Sequence, residues 1–239
     1  MGTSSPAPPD GVDPAGVFVT GTGTEVGKTV VAAVFARMAA ASGRAVRVFK
    51  PAVSGLDDYP PASAEDGGWA EASRLPDHLL LRLAAASRQS EDEIAPFRYG
   101  PPLSPHLAAE LAGETIDPAR LLAAARSALK GGYLVCEGVG GFLVPLTREH
   151  LVRDFARELD LPVLIVASPG LGTINHTLLT IEAVRGTGLE LAGVVLNPWP
   201  KQPGELERDN RETIARLGAV AVQTLPRLDL ARPESWPAL

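Results

Sequence analysis

Cysteine is almost missing from this chain: Cys136 is the only one in 239 residues. That excludes an intramolecular disulfide and a cysteine-built zinc site, and it fits a reducing, cytoplasmic setting. Aromatic residues are scarce at 5%, so the core has to be assembled from Val, Leu, Ala and Ile. Clusters of Lys or Arg are absent and the formal net charge is −6. The chain therefore lacks the positive face that a duplex binder needs, and no nucleic-acid partner is expected. No apolar run reaches the about 20 residues of a membrane-spanning helix, so no membrane is expected either. The opening MGTSSPAPPDGVDPA has neither an apolar core nor a basic start and does not read as a signal peptide. Its Pro, Ser and Gly content predicts a disordered tail over residues 1–15.

What is present is a regular alternation. Short apolar runs predict strands over Val17–Thr20, Ala45–Phe49, Tyr133–Cys136, Pro162–Ala167, Gly193–Leu196 and Val220–Leu225. Runs such as PVLIVA and GVVL are apolar at every position, the pattern of parallel strands covered on both faces. Between them, helical patterns cover Lys28–Ser42, Asp77–Ala86, Pro105–Leu111, Pro118–Lys130, Arg148–Leu159, Thr173–Arg185 and Glu205–Leu217. Strand–helix alternation predicts one α/β domain over residues 16–239, a parallel sheet with helices on both faces. The stretch DDYPPASAEDGGW, residues 57–69, reads as a mobile surface loop. In such sheets ligands bind beyond the carboxyl ends of the strands, so each polar residue just after a strand is a candidate site residue.

The first strand leads into VTGTGTEVGKT, a glycine-rich turn that ends in Gly27-Lys28-Thr29 and opens an Ala/Val-rich helix. Backbone N–H groups of such a turn, with the helix dipole behind them, hold phosphate. Lys28 reaches the β and γ phosphates and the Thr29 hydroxyl binds Mg²⁺. Thr22 stands five places before Gly27, where the usual phosphate loop has its first glycine, and Gly21 and Gly23 flank it. The fold is thus expected to be of the P-loop NTPase type with one extra residue in the loop.

Other strand ends add to this site. Lys50 directly follows the second strand and Pro51 stops the ladder, which puts a second ammonium near the phosphates; Ser54, four residues on, can donate to an anionic substrate. Glu137 closes the third strand, where phosphate-loop enzymes keep an acid for Mg²⁺ or water. The glycines at 138, 140 and 141 allow close approach of a substrate to the backbone. Cys136 reads as core. Gly172 and Thr173 open a helix and make a second anion-ready N-terminus. His176, in its first turn, reads as a capping or packing side chain before an acid–base one. Asn197 is open between a hydrogen bond to a purine edge and a turn former, and Asp77 between a helix N-cap and a site residue.

Together the segments VTGTGTEVGKT, KPAVSG, LSPHLAA, EGVGGFLVPL, GLGTINHTLLT and VVLNPWP resemble the dethiobiotin synthetase family, in the family's order and over about residues 16–228. The resemblance implies a homodimer that uses ATP or another nucleoside triphosphate, Mg²⁺, CO₂ and 7,8-diaminononanoate. An amine is carboxylated, the carbamate attacks the γ-phosphate to give a carbamic–phosphoric anhydride, and the second amine closes a cyclic urea. Lys28 and Lys50 would supply the positive charge that two meeting anions need, with Thr24 and Ser54 near the reacting groups. Glu25, Val26, Gly27, Lys28, Thr29 and Val30 would bind the nucleotide. Thr29, Asp77 and Glu137 would hold the metal, and the backbone of Gly138, Val139, Gly140 and Gly141 would contact nucleotide and substrate. Asn197 and Pro198, with Pro226, Arg227 and Leu228, would frame the base. Gly172, Thr173 and Asn175 would come from the partner subunit to take the substrate's carboxylate tail, so that each active site lies at the subunit interface.

Three positions depart from the family's pattern: Gly23 replaces an Asp or Asn in the loop, Pro198 follows Asn197 in place of a polar residue, and Asn210 lies near where some members use a tyrosine. Rival readings are weaker on the residues. A nucleotide-dependent switch of the partitioning type would carry a further lysine at the start of the loop, where this chain has TGTG. An amidating synthetase would need a glutaminase domain for which the chain is too short. A non-catalytic nucleotide-binding module would show no turnover.

Overall fold

The computed structural model describes residues 15–59 and 68–239. Of the tail expected over residues 1–15, all but Ala15 lies outside the described residues, as does the middle of the loop expected over 57–69. Six strands form one sheet: β1 (Gly16–Gly21), β2 (Val46–Phe49), β3 (Tyr133–Glu137), β4 (Val163–Ala167), β5 (Leu191–Trp199) and β6 (Val222–Pro226). Their order is β2-β3-β1-β4-β5-β6, and every pairing is parallel. The helices are α1 (Lys28–Ala41), α2 (Asp77–Ala84), α3 (Glu91–Ile94), α4 (Pro105–Leu111), α5 (Pro118–Lys130), α6 (Val152–Leu159), α7 (Thr173–Arg185) and α8 (Glu205–Gly218).

Side chains alternate across a strand, and the two faces are buried in different clusters. Val17, Val19, Val48, Val135, Val166 and Val195 pack with α1 and α2. Phe18, Phe49, Leu134, Ile165 and Leu196 pack with α5, α6, α7 and α8. All-apolar strands are thus explained by cover on both sides. The few aromatics concentrate on the second face: Phe155 of α6 is fully buried, with its ring centroid 6.2 Å from that of Phe18 and 6.1 Å from that of Phe49. β2 is an edge strand, and Gln89 closes it. Its side-chain amide accepts from Val48 N at 2.9 Å and donates to Val48 O at 3.1 Å, in place of a neighbouring strand.

Most bounds move by two residues or fewer, and two expected elements shift by more. The helix expected from Arg148 begins at Val152, because Thr147 Oγ1 accepts from the amides of Glu149 and His150 and holds a turn there. Asp154 then reaches back to Leu151 N at 2.9 Å and sets the start. The fifth strand runs on from the expected Leu196 to Trp199, through a cis bond between Asn197 and Pro198.

Beyond β6 the chain returns over α1. Trp236 stands edge-on to Trp69, with ring centroids 5.2 Å apart and planes at 89°. The Arg37 guanidinium lies 5.6 Å from the centre of the Trp69 ring, and its Nε donates to Pro233 O at 3.0 Å. This clasp joins the segment after β6, the 3-10 turn Gly68–Arg74 and α1.

Phe155→Ala is expected to cost about 3–5 kcal/mol, since it empties a fully packed site. Leu111→Ala, at a position 69% exposed, should change stability by less than about 0.5 kcal/mol. Urea denaturation of both variants checks the contrast.

Candidate active site

The register brings the polar strand ends together. Phe49 pairs with Cys136 and Val19 with Glu137, so Lys50, one residue beyond Phe49, and Glu137 sit side by side at the carboxyl edge. The strand order reverses about β1, whose neighbours are β3 and β4; the crevice beyond such a reversal is where α/β sheets bind ligands. A cleft of about 640 Å³ opens there.

The phosphate loop forms one wall. Gly27 has φ 86°, a left-handed conformation that favours glycine, and a Cβ there would lie 2.0 Å from Asn197 Nδ2. No side chain caps α1, so its first N–H groups remain for an anion. Lys28 Nζ donates to Gly23 O at 2.8 Å. Burial, opposed by Glu137, pulls the Lys28 ammonium down to about 8.

The centre of the site is ionic. Lys50 Nζ bonds Asp77 Oδ2 at 2.5 Å and Glu137 Oε1 at 2.6 Å, while Thr29 Oγ1 donates to the same Glu137 Oε1 at 2.9 Å. Glu137 is wholly buried and its Oε2 has no hydrogen-bond partner among the described residues. Burial works against the charge of Lys50, but Asp77 and Glu137 outweigh it and hold the ammonium above the ordinary lysine value. Burial likewise works against Asp77, yet Lys50 keeps that carboxyl low. At Glu137 burial wins over Lys50 and the carboxyl is pushed up. Asp77 is not a helix cap: Pro76 takes that position and Asp77 is the first helical residue, with its carboxylate on Lys50.

Among the described residues there is no cluster of three or more His, Cys, Asp or Glu that could hold a metal. The set Thr29, Asp77 and Glu137 is of another kind, two carboxylates and a hydroxyl. Its hard oxygen donors, including the orphaned Glu137 Oε2, suit a Mg²⁺ ion that also takes phosphate oxygens.

Of the residues expected at the site, Thr24, Glu25, Gly27, Lys28, Thr29, Val30, Lys50, Ser54, Asp77, Glu137, Val139 and Gly140 line this cleft. Val26 turns inward and its carbonyl accepts from Asn197 Nδ2 at 3.1 Å. Asn197 lies within β5 and is not a turn former; it ties that strand to the loop. Gly141 lines a second, adjoining cleft of about 440 Å³, with Thr24 and Val144 shared between the two. His176 lines it too and is exposed, not packed. Gly138, Pro198, Pro226, Arg227 and Leu228 lie at strand ends outside both clefts, and Gly172, Thr173 and Asn175 open α7 outside both as well.

Sequence reasoning missed Tyr59, Ala72, Pro102 and Leu230, which also line the main cleft. Pro102 lies just before LSPHLAA, a segment quoted for the resemblance but assigned no role; nothing in the sequence marks Leu230.

Fold and site define a P-loop nucleotide-binding protein of the parallel α/β type. The chain is 38% identical over 208 residues to the ATP-dependent dethiobiotin synthetase BioD of Bacillus subtilis (strain 168), covering 87% of this chain and 84% of that one. It is 43% identical over 203 residues to the protein of the same name from Anaeromyxobacter dehalogenans, covering 84% and 85%. The chain belongs to the dethiobiotin synthetase family. A family model described as an AAA domain matches residues 15–235. The solved septum site-determining protein MinD of Pyrococcus horikoshii, complexed with Mg-ADP, superposes with a TM-score of 0.51 at 15% identity, over 93% of this chain and 86% of that one. That likeness shows the fold alone.

Lys50→Met leaves Glu137 buried without its cation and is expected to cost about 3–5 kcal/mol. Without Lys50 the Glu137 carboxyl rises further, and a raised acid is most stable protonated. The loss should therefore be small near pH 5 and grow as pH rises through the raised value. Adding Glu137→Gln should recover much of it at pH 8; urea melts at both pH values check the sign.

Proposed function

We propose that this chain is an ATP-dependent dethiobiotin synthetase that closes a cyclic urea from CO₂ and 7,8-diaminononanoate. The observation that carries the reading is the pair of lysines at one cleft, Lys28 on the loop and Lys50 between two carboxylates. Joining a carbamate to a γ-phosphoryl group brings anion to anion. Such a site needs fixed positive charge more than a strong base, since phosphoryl transfer is catalysed mainly by positioning and electrostatics.

In this reading one amine of the diamine takes up CO₂ as a carbamate, held near Thr24 and Ser54. Lys28 and the uncapped start of α1 grip the β and γ phosphates, with Glu25 to Val30 around the polyphosphate. Thr29, Asp77 and Glu137 would hold Mg²⁺, which would supply further positive charge against the polyphosphate. Lys50 holds the carbamate against the γ-phosphorus. The carbamate oxygen bonds to phosphorus and ADP leaves; the second amine then attacks the carbonyl carbon and phosphate leaves. The glycines from 138 to 141 let both ligands lie against the backbone, and Asn197, Pro198 and the run from Pro226 to Leu228 frame the base.

The active unit is proposed to be a homodimer. Gly172 and Asn175 are exposed outside the clefts of their own chain, where a partner's site can use them, and Thr173 lies buried between them. Leu143 and Leu179, 52% and 57% exposed, both line the second cleft and leave apolar surface beside it. A cytoplasmic enzyme fits the single buried cysteine; among the described residues no helix is long and apolar enough to cross a membrane.

The test is ADP release with ATP, Mg²⁺ and bicarbonate, with and without 7,8-diaminononanoate, and product mass in parallel. The expected outcome is diamine-dependent release and a product heavier than the diamine by one carbonyl bridge. Diamine-independent hydrolysis would favour a switch ATPase instead. Lys50→Ala is expected to lower turnover by about 100-fold or more while nucleotide binding, followed by calorimetry, changes only a few-fold.

A further inference from the structure

The ammonium of Lys50 occupies a place that the proposed chemistry needs for something else. Its Nζ lies on Asp77 Oδ2 and Glu137 Oε1, two of the oxygens suited to a divalent cation. Glu137 is wholly buried and Lys50 nearly so. Two carboxylates in so dry a setting repel each other unless a cation stands between them. A divalent ion arriving at the same oxygens would meet the lysine charge at contact distance, where the repulsion is largest. The backbone of Lys50 stays fixed, since its N–H donates to Ile94 O at 2.8 Å. The side chain is a flexible four-carbon stem on the wall of the main cleft, so it has somewhere to go.

We propose that Lys50 is the resident counter-ion of the two carboxylates that would hold the metal, and that metal loading displaces its ammonium from Asp77 and Glu137 into the cleft. There it becomes the free cation for the carbamate and the γ-phosphoryl group, a step that rests on the proposed function; the displacement itself does not. The order of events follows from charge alone. Without metal, Lys50 is tied to its carboxylates and the site is a poor catalyst; with metal, the same residue is released to act. Lys28 takes no part in the exchange, because it donates to the Gly23 carbonyl on the loop.

The chain has only four lysines, Lys28, Lys50, Lys130 and Lys201, so the ammonium signals of protein labelled with ¹⁵N-lysine are few enough to assign, with Lys50→Arg identifying Lys50. In nucleotide-free wild type the Lys50 ammonium signal should shift or vanish as Mg²⁺ is added, with the same midpoint as Mg²⁺ binding followed by calorimetry. A Lys50 signal that stays in place at saturating Mg²⁺ would overturn the proposal. A second measurement is Mn²⁺ affinity of nucleotide-free protein by electron paramagnetic resonance. Lys50→Met should bind Mn²⁺ about 10-fold more tightly or better, because the competing charge is gone, and Lys50→Met/Glu137→Gln should lose that gain. Unchanged affinity in folded Lys50→Met also overturns it; should that variant not fold, the wild-type titration decides. Dethiobiotin production with an unmoved Lys50 signal would leave the function standing and remove the displacement. A moving signal in a protein that makes no dethiobiotin would do the reverse.

Discussion

A carboxylate without access to water needs a cation, and the architecture around Glu137 follows from that need. The acid ends the strand next to the centre of the sheet and is completely enclosed. In the structure its charge is answered by Lys50 and by the hydroxyl of Thr29, and Lys50 in turn is held by Asp77. Three separate stretches of chain, the phosphate loop, the end of β2 and the start of α2, are thereby tied to the end of β3. Ion pairs of this kind add little to stability compared with apolar packing. What they do here is fix which charges face one another at the carboxyl edge, within a scaffold whose stability comes from the two apolar faces of the sheet.

That scaffold was legible because burial on both faces leaves a plain trace. Every position of PVLIVA and of GVVL is apolar, and the alternation of such runs with helical patterns gave the number and parallel direction of the strands. The ends of elements were less so. Thr147 holds a turn that delays α6 by four residues, and local side-chain bonds of this sort compete with helix formation without altering the apolar pattern. At the site, Lys50 and Glu137 could be placed because each stands at the end of a strand, and Lys28 because it ends the glycine-rich loop and opens a helix. Asp77 could not be settled the same way: an acid at a helix start serves equally as a cap, and only its contact with Lys50, 27 residues away in the chain, decides between them. Leu230 and Tyr59 reach the cleft from irregular segments, where no periodicity marks a position.

The likeness to MinD at 15% identity illustrates how much of this molecule is general. The parallel sheet and the phosphate loop serve different ends in different proteins. What is particular to this chain's site is a short set of side chains at the strand ends, Lys50 and Glu137 above all, behind a loop that starts TGTG. Asn197 shows the same economy of position: it interrupts no strand, yet its amide reaches the Val26 carbonyl and leaves no room for a side chain at Gly27.

The clasp of Trp69 and Trp236 has an optical side. With three tryptophans in the chain and two of them edge to face at 5.2 Å, the indole transition dipoles of that pair are coupled. The far-ultraviolet circular dichroism of the protein, where the strong indole transitions lie, should thus carry an exciton contribution from this pair. The pair is connected to the cleft, since Ala72 and Leu230, the first three residues beyond Trp69 and the second six before Trp236, both line it. The molecule carries a built-in chromophore in the segments that lead to the wall of its own site, one that can be read without a label.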